Sequence, residues 1–170
     1  EYPDKFLWIE LGLQTIHEDT ARYIRRGYPL SCFEQACADL KALQIPFIVH
    51  TILGLPGETN IQLLQTMDYL NRIQPFGIKL QLLHVLKDTD LADDYLAGKF
   101  EALTFDAYID LVISCLAHLS PDIVIHRVTG DGPKNLLIAP TWSMDKRGVL
   151  NELHHRMKKQ GIRQGDLYQI

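Results

Sequence analysis

The sequence predicts an α/β protein, a parallel-stranded partial (half) TIM-type barrel with outer helices and a C-terminal helical tail. Three observations predict it. Apolar strand-like runs alternate with amphipathic helical runs, the pattern of a parallel sheet covered by helices. Each strand-like run carries polar residues at alternate positions, where a parallel sheet buried on both faces reads as almost continuously apolar. The chain has 170 residues, too few for a complete eight-fold barrel of about 250. Four strands make either a small open sheet or part of a larger barrel. The opening EYPDKFLWIELGLQT, which enters a strand at once without an initiator methionine, favours part of a larger barrel and a longer parent polypeptide.

The elements follow in order. FLWIELGLQ (Phe6 to Gln14) is a buried strand, and HEDTARYIRRG a short helix with acids early, arginines late and Gly27 as its stop. SCFEQACADLKAL opens on a capping box, Ser31 with Glu34, and continues as an amphipathic helix. IPFIVHTILG is the second strand. TNIQLLQTMDYLNRI is the next helix, boxed by Thr59 and Gln62, and GIKLQLLHV the third strand. The turn KDTD leads to LADDYLAGK and then to a strong helix, LTFDAYIDLVISCLAHL. DIVIHRV is the fourth strand, TGDGP a turn, and VLNELHHRMKKQ the terminal helix. Residues 1–120 are expected to form the barrel part, and 121–170 an extension packed on it.

Composition narrows the class. Hydrophobic residues make up 46% and charged residues 22%, values ordinary for a globular domain that buries its own core. No apolar stretch approaches the roughly 20 residues of a membrane span, so no membrane association is expected. A net charge of −4 gives no general reason to expect nucleic-acid binding. The three cysteines, Cys32, Cys37 and Cys115, are too few and too irregular for a disulfide framework, which suits a reducing, cytoplasmic setting.

Alternation assigns the polar strand residues to one surface. Glu10, Gly12 and Gln14 share a face of the first strand; Ile48, His50, Ile52 and Gly54 share one on the second; Lys79, Gln81 and Leu83 share one on the third. Glu10 and Lys79 on neighbouring inner faces are placed to neutralise one another. Two readings stand side by side: a wet barrel interior whose polar groups pair among themselves, or a lumen in which Glu10, Gln14, His50 and Gln81 bind a polar ligand. HTILGLPGET (His50 to Thr59) likewise reads as a plain strand-to-helix turn or as a ligand site where glycine lets a ligand approach the main chain.

ELGLQT, a helix ending in IRRGY, HTILGLPGET and KLQLLHVLKDTDL, taken in that order, resemble the later part of a radical S-adenosylmethionine (SAM) barrel. The order and spacing resemble most the YhcC-like branch, a relative of the Elp3, MiaB and coproporphyrinogen-dehydrogenase group, and RVTGDGP and LLIAPTWSMDK extend the resemblance over nearly the whole chain. It implies a six-stranded partial barrel in which a four-iron four-sulfur (4Fe-4S) cluster reduces SAM to a hydrogen-abstracting radical, with a reductant such as flavodoxin or ferredoxin as electron donor. It implies SAM contacts from Gln14 to the methionine moiety, from Arg26 to the carboxylate with Arg25 its nearest rival, and from Ile52 to adenine. Gly54 is implied to bring the backbone close, and Val85, or its neighbour Leu86, to read the adenine edge through main chain. Glu10 joins this set, and His50 falls where some relatives place an acid against the ribose.

The cluster motif of the family, C-x-x-x-C-x-x-C, is missing. Cys32 and Cys37 lie five positions apart on a helix, about 140° around its axis, so they do not share a ligand face. Cys115 reads as core. The cluster ligands are therefore expected upstream of Glu1, and this chain alone is not expected to perform the radical chemistry. The alternative reading is a non-catalytic α/β module that binds a nucleotide-like ligand or a protein partner. Under either reading, open strand edges invite self-association of the isolated chain.

The remaining signals are weaker. Lys146, Arg147, Arg156, Lys158, Lys159 and Arg163 form a local basic run. It reads as a solvated helix face or, because some relatives modify transfer RNA, as an RNA-facing patch for a tRNA substrate. His154 and His155 are adjacent rather than i, i+4, which argues against a metal pair. Asp93 and Asp94 read as a solvated helix start. Tyr28 and Trp142 read as core or lumen.

Overall fold

The computed structural model describes residues 6–130 and 132–169, so the expectations for the first five residues, and for Asp131 within TGDGP, lie outside the described residues. Strand β1 (Ile9–Gln14) leads into helix α1 (Glu18–Tyr23) and helix α2 (Leu30–Ala42). Strand β2 (Phe47–Leu53), helix α3 (Asn60–Ile73) and strand β3 (Gly77–Leu82) follow. A short strand β4 (Val85–Leu86), helix α4 (Asp90–Leu96), helix α5 (Phe105–His118) and strand β5 (Val124–Arg127) come next. The chain finishes with strand β6 (Leu137–Ala139), a 3-10 turn at Thr141–Met144 and helix α6 (Lys146–Gln160).

Four strands form one parallel sheet in the order β1-β2-β3-β5. Its two faces differ. Leu13, Phe47, Val49, Leu53, Ile78, Leu80 and Leu82 point into the main hydrophobic core, where Phe33 and Cys37 of α2, Met67 and Leu70 of α3, and Tyr108, Ile109 and Val112 of α5 cover them. Removing that apolar area from water is the dominant stabilisation of the fold. Glu10, Gly12, His50, Ile52, Lys79 and Gln81 alternate with these residues onto the other face, with Gly12 opposite His50 and His50 opposite Lys79. Helices thus back one face, and the polar side chains share the other, as a barrel lumen requires.

Local chemistry explains most boundaries. Thr59 and Gln62 form the expected capping box at the start of α3, while Thr89 and Thr104 cap α4 and α5 by accepting from Ala92 N–H and Ala107 N–H. The box expected at Ser31 and Glu34 is absent: α2 begins at Leu30 behind Pro29, and no side chain caps it. Its orphan N–H at Leu30 is instead met by Glu18 Oε1 at 2.7 Å, a partner twelve residues away that no local pattern reveals. The first helix is shorter than expected because Ile24 closes it and Arg25 turns to a φ of +57°. The ribbon of β4 with β6, antiparallel through Val85 opposite Ala139, was not foreseen.

The C-terminal stretch joins the rest in two ways. Strand β5 completes the sheet beside β3, and α6 packs on α5, buttoned down by Arg156. That guanidinium donates to Glu152 Oε1 at 2.6 Å, to Asp110 Oδ1 at 3.0 Å and to Asp106, so one member of the basic run is committed to three carboxylates. Cys37 and Cys115 are buried, and burial pushes their thiols up to about 11 and about 12. Among the described residues no helix is long and apolar enough to cross a membrane.

Candidate functional site

The carboxyl ends of β1, β2 and β3 open into a cavity of about 680 Å³. Gln14 stands at the end of β1, Ile52 near the end of β2 with Leu55 beyond it, and Leu83 just after β3. The segment from Tyr23 to Arg26, with Tyr28, forms one wall, and Thr89, Asp90, Leu91 and Asp94 at the start of α4 form the facing wall. Cavities at this end of parallel strands are where α/β folds place ligands.

Gln14 is the unusual residue of the wall. Its backbone has a φ of +60°, and Thr15 N–H bonds back to Leu13 O at 2.8 Å, a tight turn of the strained γ type. The pairing with β2 skips a residue between Gly12 and Gln14. The side chain folds back over Gly12, where an added Cβ would stand 2.5 Å from Gln14 Nε2 and 3.2 Å from Tyr28 Oη. The Oε1 of Gln14 is buried and has no hydrogen-bond partner among the described residues, a state that costs about 1–3 kcal/mol until a donor reaches it.

The two arginines differ sharply. The Arg26 side chain is 1% exposed and directs four of its five N–H donors into the chain itself. Nε donates to Tyr28 O at 2.9 Å, Nη1 to Thr15 O at 2.8 Å and Leu13 O at 3.3 Å, and Nη2 to Glu18 Oε1 at 2.8 Å. The Arg25 side chain is 76% exposed and reaches across the cavity mouth to Asp90. Nearby, Tyr23 Oη donates to Asp94 Oδ2 at 2.6 Å, and Lys99 Nζ to Asp94 Oδ1 at 2.6 Å, so the carboxylate read as a solvated helix start joins α4 to α1.

Lower on the inner face, Glu10 Oε2 accepts from Lys79 Nζ at 2.6 Å and lies 2.7 Å from His50 Nε2. The Lys79 ammonium, then His50, hold the Glu10 carboxyl down at about 2 against the opposing effect of burial. Gly54 and Val85 do not line the cavity. Gly54 has a φ of +83° and faces Leu103, whose Cδ1 would stand 2.8 Å from an added Cβ, so its glycine character follows from backbone and packing. Val85 is fully buried, packed with Ala92 and Ala139. The sequence missed Tyr23, Leu55, Thr89 and Asp90 as wall residues. The cap at Thr89 signalled the start of α4, but nothing local says that α4 lies over the strand ends.

The donors present suit an organic ligand and not an iron–sulfur cluster. Among the described residues no three His, Cys, Asp or Glu side chains gather to hold a metal ion. Cys32 is exposed on α2 while Cys37 of the same helix is buried.

With this geometry in place, the chain's kinship is plain: it belongs to the radical SAM superfamily. The Radical SAM superfamily model matches residues 1–70, and the Radical_SAM C-terminal domain model matches residues 75–159. The chain is 38% identical over 164 residues to YtqA of Bacillus subtilis (strain 168), covering 96% of this chain and 51% of YtqA. It is 29% identical over 164 residues to YhcC of Escherichia coli (strain K12), covering 95% and 53%. It is 26% identical over 163 residues to Elongator complex protein 3 of Homo sapiens, covering 94% and 29%. These relatives place it in a YhcC-like branch related to Elp3, and the chain spans about half the length of YtqA and YhcC. The fold is that of the archaeal Methanocaldococcus infernus Elp3, with a TM-score of 0.80 at 18% identity over 92% of this chain and 37% of that one. The partial TIM-type barrel expected from the sequence is therefore the fold observed.

Proposed function

We propose that this chain forms the SAM-binding wall of a radical SAM enzyme, for which SAM supplies the hydrogen-abstracting radical, acting on a substrate that the wall itself does not specify. One observation carries the reading: the buried, unpartnered Oε1 of Gln14 inside a cavity at the strand ends. An ammonium group is the donor that best answers a buried amide oxygen, and the methionine part of SAM carries one. Arg25, on the same wall, exchanges its exposed partner Asp90 for the ligand carboxylate, a pairing suited to a planar guanidinium. Ile52, Leu55 and Leu83 give adenine an apolar wall. Glu10 and His50 form the polar floor below the ribose, while Gly54 and Val85, which do not line the cavity, have no part in it.

The buried Cys37 and Cys115 and the solitary Cys32 do not fit a 4Fe-4S cluster, so its ligands belong to polypeptide beyond this chain, as does the docking of a flavodoxin- or ferredoxin-type reductant. The stretch 121–170 acts as an extension that completes the sheet and braces α5. A tRNA substrate rests on the basic run alone, and the commitment of Arg156 to three acids weakens it.

Calorimetric titration with SAM and with S-adenosylhomocysteine tests the reading. Saturable binding of both, weakened by Gln14→Met, is expected. If neither ligand produces a saturable signal, the SAM assignment is wrong and a non-catalytic module takes its place.

A further inference from the structure

A smaller hollow of about 150 Å³ opens beside His84, just after β3. Its lining includes His84, Gly130, Gly132, Lys134, Ser143 and Lys146. It sits toward the carboxyl ends of β3 and β5, parallel neighbours in the sheet, the end at which such folds place ligands. His84 directly follows Leu83 of the larger cavity's wall, so neighbouring residues face the two hollows. The His84 ring lies against the TGDGP turn. A Cβ added at Gly130 would stand 2.6 Å from its Cε1, and one at Gly132 2.9 Å from its Nδ1. Glycine at both positions leaves the ring its place.

Hydrogen bonding fixes the state of that ring. Buried Ser143 donates its Oγ proton to Pro140 O at 2.7 Å, so toward His84 Nε2, 3.1 Å away, it accepts. Nε2 therefore carries the ring proton, and Nδ1 keeps a lone pair. Burial, and then the charge of Lys146, hold His84 below the usual histidine range, so the ring is neutral at neutral pH. Lys134 and Lys146 are the charged residues that line the hollow with it among the described residues. Asp145 turns its carboxylate to Gly148 N–H at 2.9 Å, and Asp131 lies outside the described residues. Lysines attract an oxyanion as point charges. A fixed lone pair beside them repels one, unless an oxygen of that anion carries a proton.

We propose that this hollow is a subsite for the phosphate of a phosphomonoester, with Lys134 and Lys146 meeting its charged oxygens and His84 Nδ1 accepting its P–O–H. A phosphomonoester has a second pKa of about 6, so near neutral pH it readily brings the proton that the two share. Sulfate, carboxylates and the phosphodiesters of a nucleic-acid backbone carry no such proton at this pH, and set their own oxygens against the lone pair. The site stands without SAM. Its assignment to the substrate's phosphate, beside the larger cavity, rests on the SAM reading.

Titration of the whole chain with methyl phosphate, dimethyl phosphate and sulfate, followed by the His84 Cε1–H signal in NMR, tests the proposal without SAM. Methyl phosphate should saturate and move the His84 titration midpoint upward, because the bound anion favours the protonated ring. At about pH 7.5 it should bind roughly tenfold tighter than sulfate, the difference made by one hydrogen bond to a charged group. Below the His84 midpoint sulfate should close that gap, since the ring then donates. His84→Gln keeps an N–H for Ser143 but no titrating acceptor, and should abolish the preference. Lys134→Met should weaken methyl phosphate about tenfold, whereas Lys158→Met, in the last turn of α6, should not; this pair keeps the test decisive if His84→Gln does not fold. Equal binding of dimethyl phosphate would give the hollow to a nucleic-acid backbone, and equal losses in the two lysine variants would make the attraction unspecific. Either overturns the proposal, as does a His84 signal that methyl phosphate leaves unmoved. Methyl phosphate binding by a chain that ignores S-adenosylhomocysteine would sink the SAM reading and keep the site.

Discussion

Lys79 Nζ and Glu10 Oε2 lie 2.6 Å apart across two strand spacings, with His50 on the strand between them. The pair stitches β3 to β1 on the inner face, and its sign sets a pH dependence. Glu10 titrates at about 2 in the folded protein against 4.5 ordinarily. A carboxyl depressed in this way contributes stability that is present above about pH 4.5 and lost as pH falls toward 2. Glu10→Gln should therefore lower stability at neutral pH and flatten the acid limb of unfolding between these values, the two proteins converging as pH falls toward 2. Thermal melts of both proteins from pH 2 to 7 check this, and parallel acid limbs would count against the pairing.

Asn71 joins the end of α3 to the turn after α5. Its Nδ2 donates to His118 O at 2.7 Å and its Oδ1 accepts Ser120 N–H at 2.9 Å. Asn71→Ala leaves a buried carbonyl and a buried N–H unpaired, at about 1–3 kcal/mol each. A loss of about 2–6 kcal/mol in urea unfolding is expected, with ligand affinity unaffected, since the site lies at the opposite end of the strands.

Gly12→Ala should do the reverse. The new methyl would meet Gln14 Nε2 and Tyr28 Oη, so the amide must leave its place over the strand. The expected result is weaker binding of S-adenosylhomocysteine by tenfold or more, an effect of the same order as losing one buried hydrogen bond to a charged group, at a small change in melting temperature. Gly54→Ala, forced against Leu103 from a positive φ, should lower stability first, because its conflict is with packing.

β1 and β5 are the edge strands of the sheet, and Phe6, Leu7, Trp8 and Phe76 are exposed beside its lower end. Unpaired edges next to apolar side chains recruit further strands. The isolated chain should self-associate with rising concentration in sedimentation velocity. A single monomeric boundary throughout would refute that.

The alternation of strands and helices was legible because each element carries its own period, and the pairing of Glu10 with Lys79 was legible because parallel strands in register place alternate residues side by side. The wall made by α1 and α4 was not. Asp90 and Asp94 look like any acidic helix start, and only tertiary packing turns them toward Arg25 and Tyr23. The missing cap at Ser31 failed for the same reason: Glu18, remote in sequence, supplied the acceptor first. Arg26 shows a different limit. Its place in the chain matched a ligand-binding arginine, but five donors in a fixed fork satisfy neighbouring carbonyls as readily as a carboxylate, and sequence does not tell which is nearer.

The one-sided packing of the sheet separates two kinds of tolerance. Substitutions at Val49, Leu80 or Leu82 disturb the core and are felt as lost folding. Those at Ile52 or Gln81 change what the hollow side presents. A designer, or natural variation, can therefore rewrite the chemistry of the lumen while the scaffold behind it stays intact.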